Sequence, residues 1–150
     1  MNVKDVMSKG LFCCTPDDPI QKAAELMKTN DVGSIPVVND CTERKLLGII
    51  TDRDICIKAV AAGKSNGTMK VSEVMSRATV TCGPDESLEA CEAKMERNQV
   101  RRVPVVDGKG TCIGIVAQAD IALRDTPEHT HHIVAAISQH RTQSQTAAHA

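Results

Sequence analysis

The chain of 150 residues has no tryptophan, no tyrosine and a single phenylalanine, Phe12. Aromatic platforms for stacking single-stranded nucleic acid are thereby excluded, and a planar ligand must be gripped by aliphatic side chains, proline or an arginine plane. An excess of one charge is also missing: 18 Lys and Arg face 19 Asp and Glu, so nothing in the overall balance recruits nucleic acid or an anionic membrane. No apolar run approaches the ~20 residues of a membrane span, and Met1-Asn2-Val3-Lys4-Asp5 lacks the apolar region of a signal peptide. A cytoplasmic location is the expectation. The seven cysteines, Cys13, Cys14, Cys41, Cys56, Cys82, Cys91 and Cys112, form no C-x-x-C pair. Their odd number and the cytoplasmic reading argue against a disulfide framework and for small, reduced core residues. A Gly-x-Ser-x-Gly elbow, a Walker loop and a His-Glu-x-x-His pair are absent too, so an enzyme finds little support.

What is present is a repeat. Val3-Lys-Asp-Val-Met-Ser8 matches Val71-Ser-Glu-Val-Met-Ser76 at an offset of 68, which also aligns Cys14 with Cys82, Pro16 with Pro84, Met27 with Met95 and Ile35-Pro-Val-Val38 with Val103-Pro-Val-Val106. After a loop shorter by two, Gly48-Ile-Ile-Thr-Asp-Arg-Asp-Ile55 faces Gly114-Ile-Val-Ala-Gln-Ala-Asp-Ile121. The chain is a tandem duplication. The first copy predicts a strand near Leu11 to Cys14, then a helix with Asp18 as N-cap, Pro19 at its first position and Ile20, Ala23, Ala24 and Met27 on one face. A strand Ser34 to Val38 follows, with Pro36 placed at an edge or where a ligand meets the sheet. Next come a strand Leu46 to Ile50 and a helix Ile55 to Ala62 closed by Gly63. The second copy repeats this order: a strand near Thr79 to Cys82, a helix Leu88 to Asn98, strands Arg102 to Val106 and Thr111 to Val116, and a helix from Gln118. The fold class is therefore α/β (α+β), β-α-β-β-α twice. The expected division is 1–62, a linker 63–70, 71–125, a C-terminal helix 126–140 and a disordered tail 141–150.

Gly48 to Asp54 is where chemistry concentrates. It combines an apolar strand, a hydroxyl at its C-terminal end and two aspartates at a helix start. Unpaired N–H groups of that helix would hold a phosphate with Thr51 as an extra donor, while the Asp54 carboxylate suits a ribose diol. A helix cap made by Thr51 and Asp52 explains the same residues without any ligand.

The Asp-Val-Met-Ser openings, the Ile-Pro-Val-Val and Val-Pro-Val-Val strands and the Gly-Ile-Ile-Thr-Asp-Arg-Asp-Ile segment, repeated in order, resemble the tandem cystathionine-β-synthase (CBS) domain pair, or Bateman module, over residues 3 to 125. The chain is similar to stand-alone bacterial members. That resemblance implies two repeats packed sheet to sheet about a pseudo-twofold axis. It also implies a regulatory protein binding an adenosine-containing nucleotide (AMP, ADP, ATP, NAD(H) or S-adenosylmethionine) in the cleft between domains, a homodimer, an unknown effector protein and no required cofactor. The family's Gly, Thr or Ser, and Asp pattern falls on Gly48, Thr51 and Asp54, with Arg53 between them. The second copy keeps Gly114 and Asp120 but has Ala117 and Ala119, so its site lacks a phosphate donor. Adenine contacts implied by the family fall on Ile35 and Pro36, on Val103 and Pro104, and on the main chain near Thr15 and Pro16. Arg101 and Arg102 stand where the first copy has Gly33 and Ser34. They are either phosphate ligands or a solvated pair.

Two other chemistries stay open. His129 and His132 share a helix face and offer two ligands to zinc, against the plainer reading of solvated histidines. Cys14, repeated as Cys82, is expected in the core, leaving Cys13 to line the cleft as a candidate functional thiol. The classes carried forward are a nucleotide sensor, a metal- or redox-responsive stress protein and a structural adaptor.

Overall fold

The computed structural model describes residues 1–9, 12–64, 67–77, 80–124 and 134–136. The helix expected at 126–140, apart from three helical residues at 134–136, the tail 141–150, His129 and His132 lie outside the described residues. The chain forms two compact units: among described residues the first unit takes in 12–64, 67–77 and 106–113, and the second takes in 1–9, 80–105, 114–124 and 134–136.

In the first unit, α2 (Ile20–Asn30) buries Ile20, Ala23 and Met27, the face set by its i, i+3, i+7 spacing. It ends at Asp31 in the left-handed conformation, φ 52°. β1 (Ser34–Val38), β2 (Leu46–Thr51) and β3 (Ser76–Arg77) form a sheet in that order, with Ser34 opposite Thr51 and Gly48 opposite Arg77. Cys14 bridges Val37 on the other side of β1. The apolar residues of α2, β1 and β2 close over Cys14, Met69, Val71 and Val74 as one core.

The second unit repeats the plan with α1 (Val3–Val6), α4 (Leu88–Asn98), β4 (Arg102–Val106), β5 (Cys112–Ala117) and α5 (Gln118–Ala122). β4 pairs with β5, Cys82 bridges Val105 and Ser8 bridges Ile115. The turn joining β4 to β5 belongs to the first unit. Each opening segment therefore sits in the unit of the other copy. Val3 and Lys4 donate to the carbonyls of Glu86 and Pro84, both at 2.9 Å, whereas Val71 and Ser72 donate to Asp18 and Pro16 at 2.8 and 3.0 Å.

This exchange explains the glycine of each motif. A Cβ on Gly48 would collide with the Ser76 carbonyl and lie 2.8 Å from Met75 Cε; on Gly114 it would lie 2.8 Å from the Ser8 carbonyl and 2.9 Å from Met7 Sδ. The bare glycine lets the exchanged opener approach the sheet.

Four expectations are corrected. The first strand of each copy shrinks to a single bridge, because among described residues only Cys14 and Cys82 ladder with their neighbours. Asp18 does not cap α2: Pro19 takes that position, and the Asp18 carboxylate instead accepts from the Thr15 N–H at 2.8 Å and from Lys22 at 2.9 Å. Pro36 is not on an edge, since β1 is flanked on both sides and the Pro36 carbonyl accepts from Cys14 at 3.1 Å. The last helix of the first copy starts three residues earlier than expected, as α3 (Asp52–Ile55), and continues as a π-helical turn, Cys56–Val60. Its closure matches the sequence: Gly63, φ 68°, donates to Val60 and Lys64 to Ala59, the paired bonds of a Schellman end.

Candidate functional site

β2 ends at Thr51 and α3 begins at once, so the strand's last side chain becomes the helix cap. The Thr51 hydroxyl accepts from the Asp54 N–H at 3.1 Å, and the Asp54 carboxylate accepts from the Thr51 N–H at 3.1 Å. This is a reciprocal capping box. The other carboxylate oxygen of Asp54 lies 3.4 Å from Lys58 Nζ, one helical turn on, and that ammonium also donates to the Val74 carbonyl at 3.0 Å. Asp52 N–H donates to the Gly33 carbonyl at 3.1 Å and Arg53 N–H to the Asp52 carboxylate at 2.8 Å. The first N–H groups of α3 are thus all engaged within the protein. The sequence expectation of free helix N–H groups awaiting a phosphate is corrected by this geometry. The Thr51 hydroxyl keeps its own proton to donate, and Asp54, half-buried, keeps lone pairs open to a diol.

Residues near this point share one strand end. Ser34 is opposite Thr51 and Ile35 opposite Ile50, both Ser34 and Ile35 being buried, with Pro36 next along β1. Arg53 is exposed. Thr15 stands apart from this end: Cys14 runs parallel to β1 beside Val37, which puts Thr15 toward the Val38 end, where its N–H is held by Asp18. A ligand touching Thr51 and Thr15 together would have to run along β1.

The second unit holds half of the same device. Ala117 N–H donates to the Asp120 carboxylate at 2.8 Å, but no side-chain oxygen returns the bond. Gln118 N–H donates to the Arg101 carbonyl at 2.8 Å, which places Arg101 and Arg102 beside the start of α5, with Val103 and Pro104 buried behind them in β4.

Two contributors were missed from the sequence, Lys58 and the Gly33 carbonyl. The i,i+4 spacing of Asp54 and Lys58 was the available signal for the first. The Gly33 contact comes only from β1–β2 register.

The cysteines divide sharply. Cys13 and Cys41 form a disulfide, with Cα atoms 6.2 Å apart. Most cysteines are outside any disulfide, as expected, but this bond corrects the placement of Cys13 as a free thiol: parity and motif spacing give no view of two sulfurs that meet only after β1 and its following turn fold back. Cys14 is buried and its thiol is pushed up to about 11, by burial first and then by the nearby Asp18 charge. Such a thiol is inert at neutral pH. Cys82 and Cys91 lie together, both buried: the hydrogen bond between them lowers Cys82 and, with burial, raises Cys91. Among the described residues no group of three or more His, Cys, Asp or Glu is arranged to hold a metal ion. No helix among them is long and apolar enough to cross a membrane.

Comparison with known proteins agrees with the doubled plan. The CBS domain family pattern matches residues 3–60 and again 71–125. The CBS domain-containing protein YhcV of Bacillus subtilis is 43% identical over 122 residues, covering 81% of this chain and 84% of its own. Hypoxic response protein 1 of Mycobacterium tuberculosis is 36% identical over 126 residues, covering 84% and 85%. A crystal structure of Hypoxic Response Protein I with two coordinated zinc ions superposes with a TM-score of 0.74 at 33% identity, over 84% of this chain and 100% of that one. The CBS domain pair of protein MJ0100, in complex with 5′-methylthioadenosine and S-adenosyl-L-methionine, gives 0.73 at 32% identity, over 82% and 98%. With both copies matched and both units built on one plan, this chain belongs to the CBS domain family as a tandem pair.

Proposed function

We propose that the protein is a regulatory module that binds an adenosine-containing ligand at the end of β2 and signals through a change of conformation. The observation that carries this reading is Asp54, fixed by Thr51 N–H on one side and Lys58 on the other, with acceptor capacity left for a ribose diol. Pro36, on the face of β1 opposite the core side that Ile35 fills, offers the aliphatic surface that an adenine needs in a chain almost without aromatics, with Ile35 backing it from the core. The complex of the MJ0100 pair with two adenosine derivatives supports the ligand class.

The two copies favour different ligand tails. Asp52 and Asp54 surround a helix start whose N–H groups are already used, which favours an uncharged or cationic tail such as that of S-adenosylmethionine. Arg101 and Arg102 beside Asp120 favour a phosphate tail, as in AMP, ADP, ATP or NAD(H). Arg53 and Thr15 are further contacts of the first site, and Gly48 serves it by admitting the opener beneath β2.

The protein acts in the cytoplasm, without catalysis or a required cofactor. Binding shifts its population toward the conformation the ligand prefers, and an effector protein reads that shift. A second copy of the chain covers the apolar residues its last helices expose, Ile57 and Val60 in the first unit and Leu123, 85% exposed, in the second.

Thermal-shift measurements with AMP, ADP, ATP, NADH and S-adenosylmethionine test the reading, with zinc as a separate arm. A ligand at ~100 times its Kd stabilises the fold by about 2.7 kcal/mol. Asp54→Ala is expected to remove the shift given by S-adenosylmethionine; a shift that survives this substitution sinks the first-site assignment.

A further inference from the structure

Cys13 and Cys41 are joined, whereas the five other cysteines take part in no disulfide among the described residues, and four of those are buried. The two linked residues differ in access: Cys13 is buried while Cys41 is exposed, in the turn between β1 and β2. Their loop encloses all of α2 and β1. Cys13 also lies next to Cys14, whose N–H donates to the Pro36 carbonyl at 3.1 Å and whose carbonyl accepts from Val38 at 2.9 Å. The segment carrying Thr15 is therefore tied to β1 by two backbone bonds and one covalent bond. Buried Cys112 packs in the same small cluster as Cys13, Val38 and Leu46, so that end of the disulfide is closed to solvent.

From this placement we infer that Cys13–Cys41 is a redox-operated tether that sets the affinity of the β1–β2 ligand site, its linked state holding the Thr15 segment against β1 and its open state releasing it. The inference rests on the nucleotide reading above. A disulfide between one exposed and one buried residue in a chain read as cytoplasmic is suited to switching more than to permanent bracing. The co-reactant is a small-molecule thiol–disulfide couple. In the opening direction a small thiolate attacks Cys41 Sγ and the Cys13–Cys41 bond breaks. Cys13 leaves as a thiolate and, as its segment is released, takes a proton from solvent; a second small thiolate attacks the small-molecule sulfur of the mixed disulfide and releases Cys41, which is protonated in turn. The protein gains two electrons and two protons, and the couple is left as its disulfide. Closing is the reverse. Because the linked state presents Thr15 and β1 already in place, it binds more tightly.

The test uses the full chain equilibrated with either oxidised or reduced glutathione. Alkylation with mass spectrometry reads the thiols, and calorimetric titration with AMP and with S-adenosylmethionine reads the site. Exposed Cys56 is replaced by serine throughout, to remove unrelated labelling. The expected result is a Cys13–Cys41 linked peptide after oxidation, two alkylated cysteines after reduction, and at least about fivefold tighter binding of one probe in the linked state, the low end of ordinary coupling between sites. Cys41→Ser should bind like the reduced protein under both conditions and melt cooperatively, since position 41 is exposed. A missing linked peptide after oxidation overturns the tether. Equal affinities in the two states overturn the coupling and leave the nucleotide reading standing, whereas no binding in either state overturns both. A non-cooperative melt of Cys41→Ser overturns the switch in favour of a brace.

Discussion

Thr51 to Asp54 and Ala117 to Asp120 are the same corner of the same fold, and their caps differ by one hydroxyl. In the first copy the cap is reciprocal, hydroxyl to N–H and carboxylate to N–H; in the second only the carboxylate half remains. The aspartate persists in both while the threonine does not. The difference separates two parts of the motif: the carboxylate orders the strand-to-helix corner in either copy, and the hydroxyl is the part that varies. A matching divergence stands opposite, where Ser34 in one copy is replaced by Arg102 in the other. Under the proposed function, loss of a neutral donor and gain of a cation at one corner is a change of tail preference.

The largest expected effect bears on a feature the second copy lacks, since the counterparts of Cys13 and Cys41 there are Thr81 and Lys109. The disulfide closes a loop spanning a sequence separation of 28. Its chain-entropy contribution is about 3 to 4 kcal/mol, so Cys41→Ser should lower the denaturant unfolding free energy by about that amount, against almost nothing for Lys109→Ser. Comparable losses from the two substitutions would erase this distinction between the copies.

A smaller effect exchanges the hydroxyl itself. Thr51→Ala should cost about 1 kcal/mol of stability through the lost cap, and Ala117→Thr should recover a few tenths to about 1 kcal/mol. Urea titration of both variants reads the difference. Should Ala117→Thr destabilise instead, the second corner is shaped by its ligand tail and not merely deprived of a cap.

The smallest effect is in acid. Asp18 in the first copy and Glu86 in the second occupy equivalent positions. Burial opposes ionisation in each; the Thr15 N–H and Lys22 hold Asp18 below the ordinary carboxylate range, and Lys94 with the Gly83 N–H does the same for Glu86. Carboxylates lowered on folding contribute stability above their unfolded pKa, about 4, and lose it as pH falls through the folded value. Unfolding midpoints taken downward from pH 6 should therefore decline below about pH 4, and Asp18→Asn and Glu86→Gln should each flatten the decline by a similar share. Unequal shares would show that one copy opens first.

Much of this was legible in the residues. The repeat offset, the α2 and α4 faces and the β1 and β4 strands follow from spacing alone, and the Thr-x-x-Asp pattern already contained its capping box. The exchange of openers was hidden, because repeat matching aligns Val3 with Val71 but says nothing about which copy each one packs on. The glycines of the motif have a role that shows only with it: Gly48 leaves room for Met75 and Ser76. The disulfide was invisible for a related reason, since it depends on the turn after β1 returning to the residue before Cys14.

The exchanged openers also set an order of events at synthesis. Residues 3 to 8 are made well before their partners Pro84, Glu86 and Ile115, which belong to the second copy. A nascent chain therefore holds Val3 and Val6, both buried in the folded protein, without their partners until those residues are made, and its second unit completes only then. Contacts of such long sequence separation fold slowly. A chain cut at its linker would leave neither fragment with a whole unit, so the two halves are expected to fold only together.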